Sequence, residues 1–181
     1  MKEIYFAGGC FWGTQHYLKQ IRGVAEAETG YANGRGDHPT YEEVYTDLTG
    51  YAETVRVVYD PTVISLRLLT ELYFKSIDPT LLNRQGGDTG TRYRTGVYFT
   101  SEEDLPVLEA VFDEVAAALD KPLAVELAPL KSFWPAEEYH QDYLYKNPSG
   151  YCHLPAALFE FARRANPETA EAGENHDARN L

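Results

Sequence analysis

Glu3-Ile4-Tyr5-Phe6-Ala7, a short run favouring a β-strand, passes directly into Gly8-Gly9-Cys10-Phe11-Trp12-Gly13. Beyond the glycines, Phe11, Gln15, Leu18 and Ile21 recur at helical spacing, and Arg22-Gly23 supplies a stop. A strand therefore turns sharply into a helix, with a cysteine at the junction. Outward from there, Val24 to Tyr31 alternates loosely as a strand, with Glu26 and Glu28 on its solvent side. Turn residues fill Asn33 to Pro39, and a loop continues to Gly50. The clearest strand alternation lies in Tyr51 to Tyr59, and Asp60-Pro61 ends it. Leu66, Leu69, Tyr73 and Ile77 mark an amphipathic helix opened by Ser65. A long loop, Asp78 to Arg94, precedes a strand at Thr95 to Thr100, and Ser101-Glu102-Glu103-Asp104 opens a helix whose stripe includes Leu108, Val111, Phe112, Val115 and Leu119.

The first six elements read βαββαβ, the order of a ferredoxin-like split βαβ sandwich. The predicted class is α+β: one sheet with helices on one face and C-terminal extensions. Those extensions are a strand within Leu123 to Leu130 and a helix over Ala136 to Tyr145, closed by Asn147-Pro148-Ser149-Gly150. The 181 residues suit a single catalytic domain, 1–165. Residues 166–181 carry four acids, one Arg and almost no large apolar side chain, which predicts a disordered acidic tail. With 16 basic against 28 acidic residues the net charge is −12, so no cationic footprint exists for nucleic acid. No apolar run approaches the ~18 residues of a membrane span, and Ile4 to Ala7 is too short for a signal-peptide core. A cytoplasmic monomer is expected.

Four groups of residues could carry chemistry. At the strand-to-helix junction, unpaired N–H groups and the helix dipole would favour a Cys10 thiolate, lowering the thiol pKa below ~8.5. The glycines admit a reactant, and Phe11 and Trp12 could line an apolar pocket; a tight turn around a small buried residue is the plainer alternative. Glu53 sits inside a strand, where Glu is disfavoured. Held in an aromatic-lined site it would stay protonated near neutrality and serve as an acid, whereas on the solvent face it would do nothing. The loop Arg84 to Arg94 combines three glycines with Asp88, Tyr93 and Arg side chains, but no helix follows to cradle a phosphate. Lastly, Tyr139-His140-Gln141 and Asn147 to His153 bring Cys152 and His153. No C-x₂-C or H-x₃-H pair accompanies them, so no metal site is expected. Cys152 is either a second thiol delivered to Cys10 or a structural one. A cysteine hydrolase with His140 as base, or a binding module needing neither thiol, are the other readings.

Several of these pieces, in chain order, resemble the peptide methionine sulfoxide reductases of the A type. They are Gly9-Cys10-Phe11-Trp12-Gly13, Pro39 to Val44, Thr49-Gly50 through Tyr59-Asp60-Pro61, Asp78-Pro79-Thr80, Asp88 to Arg94, Phe133 to Gln141 and Asn147 to Cys152. The resemblance implies that Cys10 attacks the sulfoxide sulfur while Phe11 and Trp12 hold the substrate methyl group. It further implies that Glu53 protonates the oxygen, helped by Tyr41 and Tyr93, that Asp88 supports the substrate, and that Cys152 resolves the Cys10 sulfenic acid as a disulfide. The implied substrates are free methionine S-sulfoxide and oxidised proteins, and the implied reductant is thioredoxin, with no metal or organic cofactor. Tyr45, Tyr51, Gly87, Thr89 and Arg92 depart from the family pattern around this site.

Overall fold

The computed structural model describes residues 1–165; the acidic tail of the sequence reading lies outside them. The elements run β1 (Lys2–Gly8), α1 (Phe11–Lys19), β2 (Val24–Ala32), α2 (Tyr41–Tyr45), β3 (Ala52–Tyr59), α3 (Leu66–Lys75), β4 (Arg84–Gln85), β5 (Asp88–Thr89) and β6 (Thr95–Phe99). They continue with α4 (Leu105–Ala117), β7 (Glu126–Pro129), β8 (Phe133–Pro135), α5 (Tyr143–Lys146) and α6 (Ala156–Arg164). The class is α+β. Six strands form one sheet in the order β7-β6-β1-β3-β2-β8, and β4-β5 is a separate two-stranded ribbon. Neighbours pair antiparallel except β6 with β7, which are parallel.

Burial explains why β1 and β3 are central. Ile4 and Phe6 of β1, and Val55, Val57 and Tyr59 of β3, enter one core with Leu18, Leu68, Leu69, Leu72, Leu108 and Val111 from the helices. The opposite faces carry Tyr5, Ala7, Ala32, Ala52 and Tyr98, covered by Leu130 and Phe133. A strand buried on both faces shows no clean alternation, which is why β1 reads as a plain apolar run. Tyr17 and Tyr73 are admitted to the core with their hydroxyls on backbone acceptors, Tyr17 donating to Leu72 O at 2.6 Å and Tyr73 to Ala7 O at 2.7 Å.

The structure departs from the sequence reading at three places. The loop before β3 contains α2, opened by Thr40, whose side chain accepts the Glu43 N–H. The loop 78–94 contains the β4-β5 hairpin and a 3₁₀ turn at Thr91–Tyr93. The helix expected over Ala136 to Tyr145 is a correction: β8 leads to a 3₁₀ turn, Glu138–His140, and then α5 after Asp142 in the left-handed region (φ 54°). Side chains break it by capturing backbone that helix bonds would have used. The Gln141 side chain donates to Ala136 O at 3.1 Å while also bridging to the Thr29 backbone, and the Asp142 N–H goes to Gln15 Oε1 at 2.9 Å.

Ser65 accepts the Leu68 N–H at 3.1 Å and so caps α3, the helix that carries Leu68, Leu69 and Leu72 into the core. Ser65→Ala should cost about 1 kcal/mol and lower the melting temperature by roughly 2–4 °C. Calorimetry checks this, with catalytic rates unchanged.

Candidate active site

Cys10 stands where β1 becomes α1. Gly9 takes φ +87°, and a Cβ there would meet Gln85 Cβ at 2.7 Å, so the turn requires glycine on both grounds. Thr14 Oγ1 donates at the same junction, lying 3.1 Å from Gly8 O and 3.2 Å from Cys10 O. Gln85 is itself pinned, accepting the Asp78 N–H at 2.9 Å and donating to Asp78 O at 2.7 Å. The β4-β5 hairpin is thereby pressed against the cysteine turn.

Glu53 approaches from β3. It is 3% exposed, and its Oε1 accepts the Phe11 N–H, the first amide of α1, at 3.1 Å. Burial raises its pKa to about 8, with Asp88 and Asp47 adding to the rise. The Phe11 amide and Arg92 pull the other way and do not prevail. At neutral pH the group is a buried acid holding its proton.

The Cys10 thiol is a correction to the sequence reading. Burial, then Glu53, push it well above the ordinary thiol range, and Asp88 adds to this; the Trp12 and Gly13 amides bonded to the sulfur oppose it without reversing it. The helix start acts as expected, but the charges arriving from β3 and β5 were invisible locally.

Aromatic rings complete the enclosure. Phe11 is buried, 5.7 Å from Tyr31 and 5.2 Å from His140 between ring centres. Trp12 stacks on Tyr143 at 3.7 Å and donates its indole N–H to His140 Nδ1 at 2.9 Å. Tyr41 lies 4.5 Å from the His140 ring. Burial and the Glu53 charge both push the hydroxyls of Tyr41 and Tyr93 upward, which keeps them proton donors beside that carboxyl. Because His140 Nδ1 accepts from Trp12, the neutral ring carries its proton on Nε2 and has no lone pair left for a base. The hydrolase reading loses its base on this account.

Asp88 of β5 accepts from the Tyr151 hydroxyl at 2.9 Å. Cys152 and His153 follow Tyr151 and lie over α1: a Cβ built on Gly13 would stand 3.1 Å from Cys152 Sγ and 3.0 Å from His153 Nδ1. Both cysteines are free thiols. Cys10, Phe11, Trp12, Tyr41, Glu53, Asp88, Tyr93 and Cys152 thus converge from five separate stretches of chain.

The sequence reading missed two supports. Glu137 accepts from the Tyr31 hydroxyl at 2.7 Å and from the Tyr41 N–H at 2.9 Å, which fixes the aromatic wall. Arg92 pairs with Asp47, whose Oδ1 also accepts the Arg92 N–H at 2.9 Å, and its guanidinium lies over the rings of Tyr45 (4.2 Å) and Tyr93 (4.3 Å). No periodicity announces either residue. Tyr51 is buried with its hydroxyl donated to Gly36 O, and its ring packs where a Gly34 side chain would stand.

A sequence profile described as "Peptide methionine sulfoxide reductase" matches residues 2–171. The chain belongs to the peptide methionine sulfoxide reductase family. It is 52% identical over 160 residues to a peptide methionine sulfoxide reductase MsrA of Clostridium acetobutylicum, covering 88% of this chain and 99% of that one. The crystal structure of Mxr1 from Saccharomyces cerevisiae in reduced form superposes with a TM-score of 0.80 at 42% identity, over 83% of this chain and 88% of the other. Mxr1 in complex with Trx2 superposes at 0.56 and 30% identity, over 78% and 84%. Among the described residues no helix is long and apolar enough to cross a membrane.

The raised Glu53 pKa has a consequence for the stability of this reductase-family chain. Folded and unfolded Glu53 are both neutral at acid pH. Above the ordinary value of 4.5 the unfolded chain ionises first, so the contribution of Glu53 to stability is lost as pH rises towards about 8. Glu53→Gln keeps an acceptor for the Phe11 N–H and removes this penalty. Its melting temperature should exceed wild type at pH ~8, and the gain should shrink as pH approaches 4.5. Melts across that range check the sign.

Proposed function

We propose that Cys10 and Glu53 reduce methionine S-sulfoxide, free or in oxidised proteins, as a nucleophile and acid pair. The observation that carries this reading is the protonated, buried Glu53 hydrogen-bonded to the amide next to Cys10. Reducing an S=O bond needs an attacking sulfur, a proton for the oxygen and a dry seat for the methyl group. The sulfoxide oxygen would lie towards Glu53 and the hydroxyls of Tyr41 and Tyr93, with the methyl group against Phe11 and Trp12 and with Asp88 supporting the substrate. The proton passes from Glu53 to that oxygen, which makes the sulfur electrophilic and leaves Glu53 ionised. The Cys10 thiol proton completes the balance: a thioether leaves, and the oxygen stays on Cys10 as a sulfenic acid. A thiol that rests protonated then has little reactivity until a substrate offers its oxygen to the same acid.

Cys152 next displaces the oxygen as water and closes a Cys10–Cys152 disulfide, which thioredoxin reopens by thiol exchange. The Trx2 complex of Mxr1 supports this choice of reductant, and a reducing cytoplasm would supply it to a monomeric enzyme. We take residues 1–165 as the catalytic unit. The fold reading belongs to the same proposal: the order β6-β1-β3-β2 within the sheet supports a ferredoxin-like split βαβ core carrying α1 and α3.

Glu53→Gln should lower turnover by ~10²–10⁴-fold while the protein stays folded, and near wild-type rates at neutral pH would exclude the acid role. Cys10→Ser should release no methionine at all. Cys152→Ser should release about one methionine per enzyme before stalling as a trappable sulfenic acid, and full thioredoxin-supported cycling would leave Cys152 a structural thiol. Ending the chain at Ala165 should leave turnover intact in a methionine-release assay.

A further inference from the structure

We infer that His153 is a positioning residue for the resolving step: it holds the Cys152 segment over the Cys10 turn and takes the Cys152 thiol proton on Nδ1. This rests on the reading of Cys152 as the resolving thiol. His153 Nε2 lies 3.1 Å from Gly8 O. A carbonyl only accepts, so Nε2 carries the hydrogen and, in the neutral ring, Nδ1 carries a bare lone pair. That Nδ1 is buried and has no hydrogen-bond partner among the described residues. Nδ1 and Cys152 Sγ each lie about 3 Å from one point above Gly13, within the first turn of the Cys10 helix. The side chain is fitted among glycines: added Cβ atoms at Gly9 and Gly13 would meet the His153 ring at 3.3 and 3.0 Å, and one at Gly86 would meet its Cβ at 3.1 Å.

The Cys152 thiol donates to Leu154 O at 3.4 Å, a carbonyl that holds the hydrogen but cannot take the proton. Burial pushes the Cys152 thiol up, and only the Leu154 amide opposes this. Burial also pulls His153 down from 6.5, against the Gly8 carbonyl and Asp88, so the ring is neutral with its lone pair free at physiological pH. The titratable groups around it are Asp88 from β5, Cys10 from the turn, and Tyr151 and Cys152 from its own segment. In the step itself the Cys152 proton moves to Nδ1, the thiolate attacks the Cys10 sulfur, and the S–O bond breaks. The departing hydroxide takes the proton back from the imidazolium and leaves as water. Cys152 is oxidised and the sulfenic sulfur of Cys10 reduced.

The test mixes reduced enzyme with methionine sulfoxide and no reductant, and follows both methionine release and dimedone-trappable sulfenic acid. His153→Gln should release methionine at the wild-type rate, whereas its sulfenic acid should persist ~10²-fold longer at neutral pH. Raising the pH to ~9.5 should narrow that gap, because a growing fraction of Cys152 then ionises unaided. An unchanged lifetime at neutral pH overturns the proposal. So does a gap that persists undiminished at high pH, since that would mark a purely structural role. Cys152→Ser separates the two readings: if it too fails to accumulate sulfenic acid, the resolving role of Cys152 fails, whereas accumulation there with none in His153→Gln removes only His153. Should His153→Gln lose its first turnover, the wild-type pH profile decides. Disulfide closure must slow below neutrality with a group titrating under 6.5, and a flat profile overturns the inference.

Discussion

The hydrogen bond from the Phe11 N–H to Glu53 ties the first turn of α1 to the middle of β3. Much of the site follows from it. It seats the carboxyl beside the thiol, in a volume where water cannot solvate a charge. One amide recovers part of the lost solvation, but burial still wins and the acid keeps its proton to about pH 8. Arg92 is the group that could have tipped the balance. Instead it is spent on Asp47 and on the faces of Tyr45 and Tyr93, and its effect on Glu53 is only a partial pull downward. An unpaired arginine facing Glu53 would have left a carboxylate, which can give no proton to an oxygen.

The same economy governs Cys10. Sensor and peroxide-scavenging cysteines are ionised at rest and react with small oxidants on encounter. Here burial and the neighbouring carboxyl keep the thiol protonated even though two amides point at the sulfur. Reactivity therefore has to arrive with the substrate. In the proposed reaction the Glu53 proton engages the sulfoxide oxygen and the developing charge is satisfied, while the Phe11, Trp12 and Gly13 amides of the helix start remain in place to stabilise negative charge next to them.

The central elements were legible because their signals are local. β3 shows a period of two, α3 and α4 show their stripes, and Ser65 announces its own helix. The stretch 133–153 was not, and the helix expected there does not form as one piece. Its polar groups are drawn to distant partners: the Gln141 side chain reaches Thr29, that of Glu137 reaches Tyr31 and Tyr41, and the Asp142 N–H goes to Gln15 Oε1. Such ties have no period to detect. The residues to which the family resemblance pointed lie near one another in the fold, yet sequence proximity misjudged the Cys10 thiol. Cys10 has glycines and amides beside it in the chain, while the groups that raise its pKa come from positions 53 and 88.

The C-terminal segment joins a fixed frame to a lightly held thiol. Leu144 and Leu154 are each 8% exposed and mark its buried ends, while Ala162 of α6 sits fully within the core just beyond. Between them, residues 145–149 are exposed and Tyr151 is half out in solvent. Cys152 is held by few bonds: Tyr151 to Asp88 on one side, His153 to Gly8 O on the other, and at the sulfur itself a bond from the Leu154 N–H and one to Leu154 O, each 3.4 Å. The apolar anchors Leu144 and Leu154 can stay where they are while these bonds break, so the cost is confined to the packing of Cys152 and His153. In the proposed cycle a thiol on such a tether crosses to Cys10 after the sulfenic acid forms, and the sheet, α1 and Glu53 need not move for the next turnover.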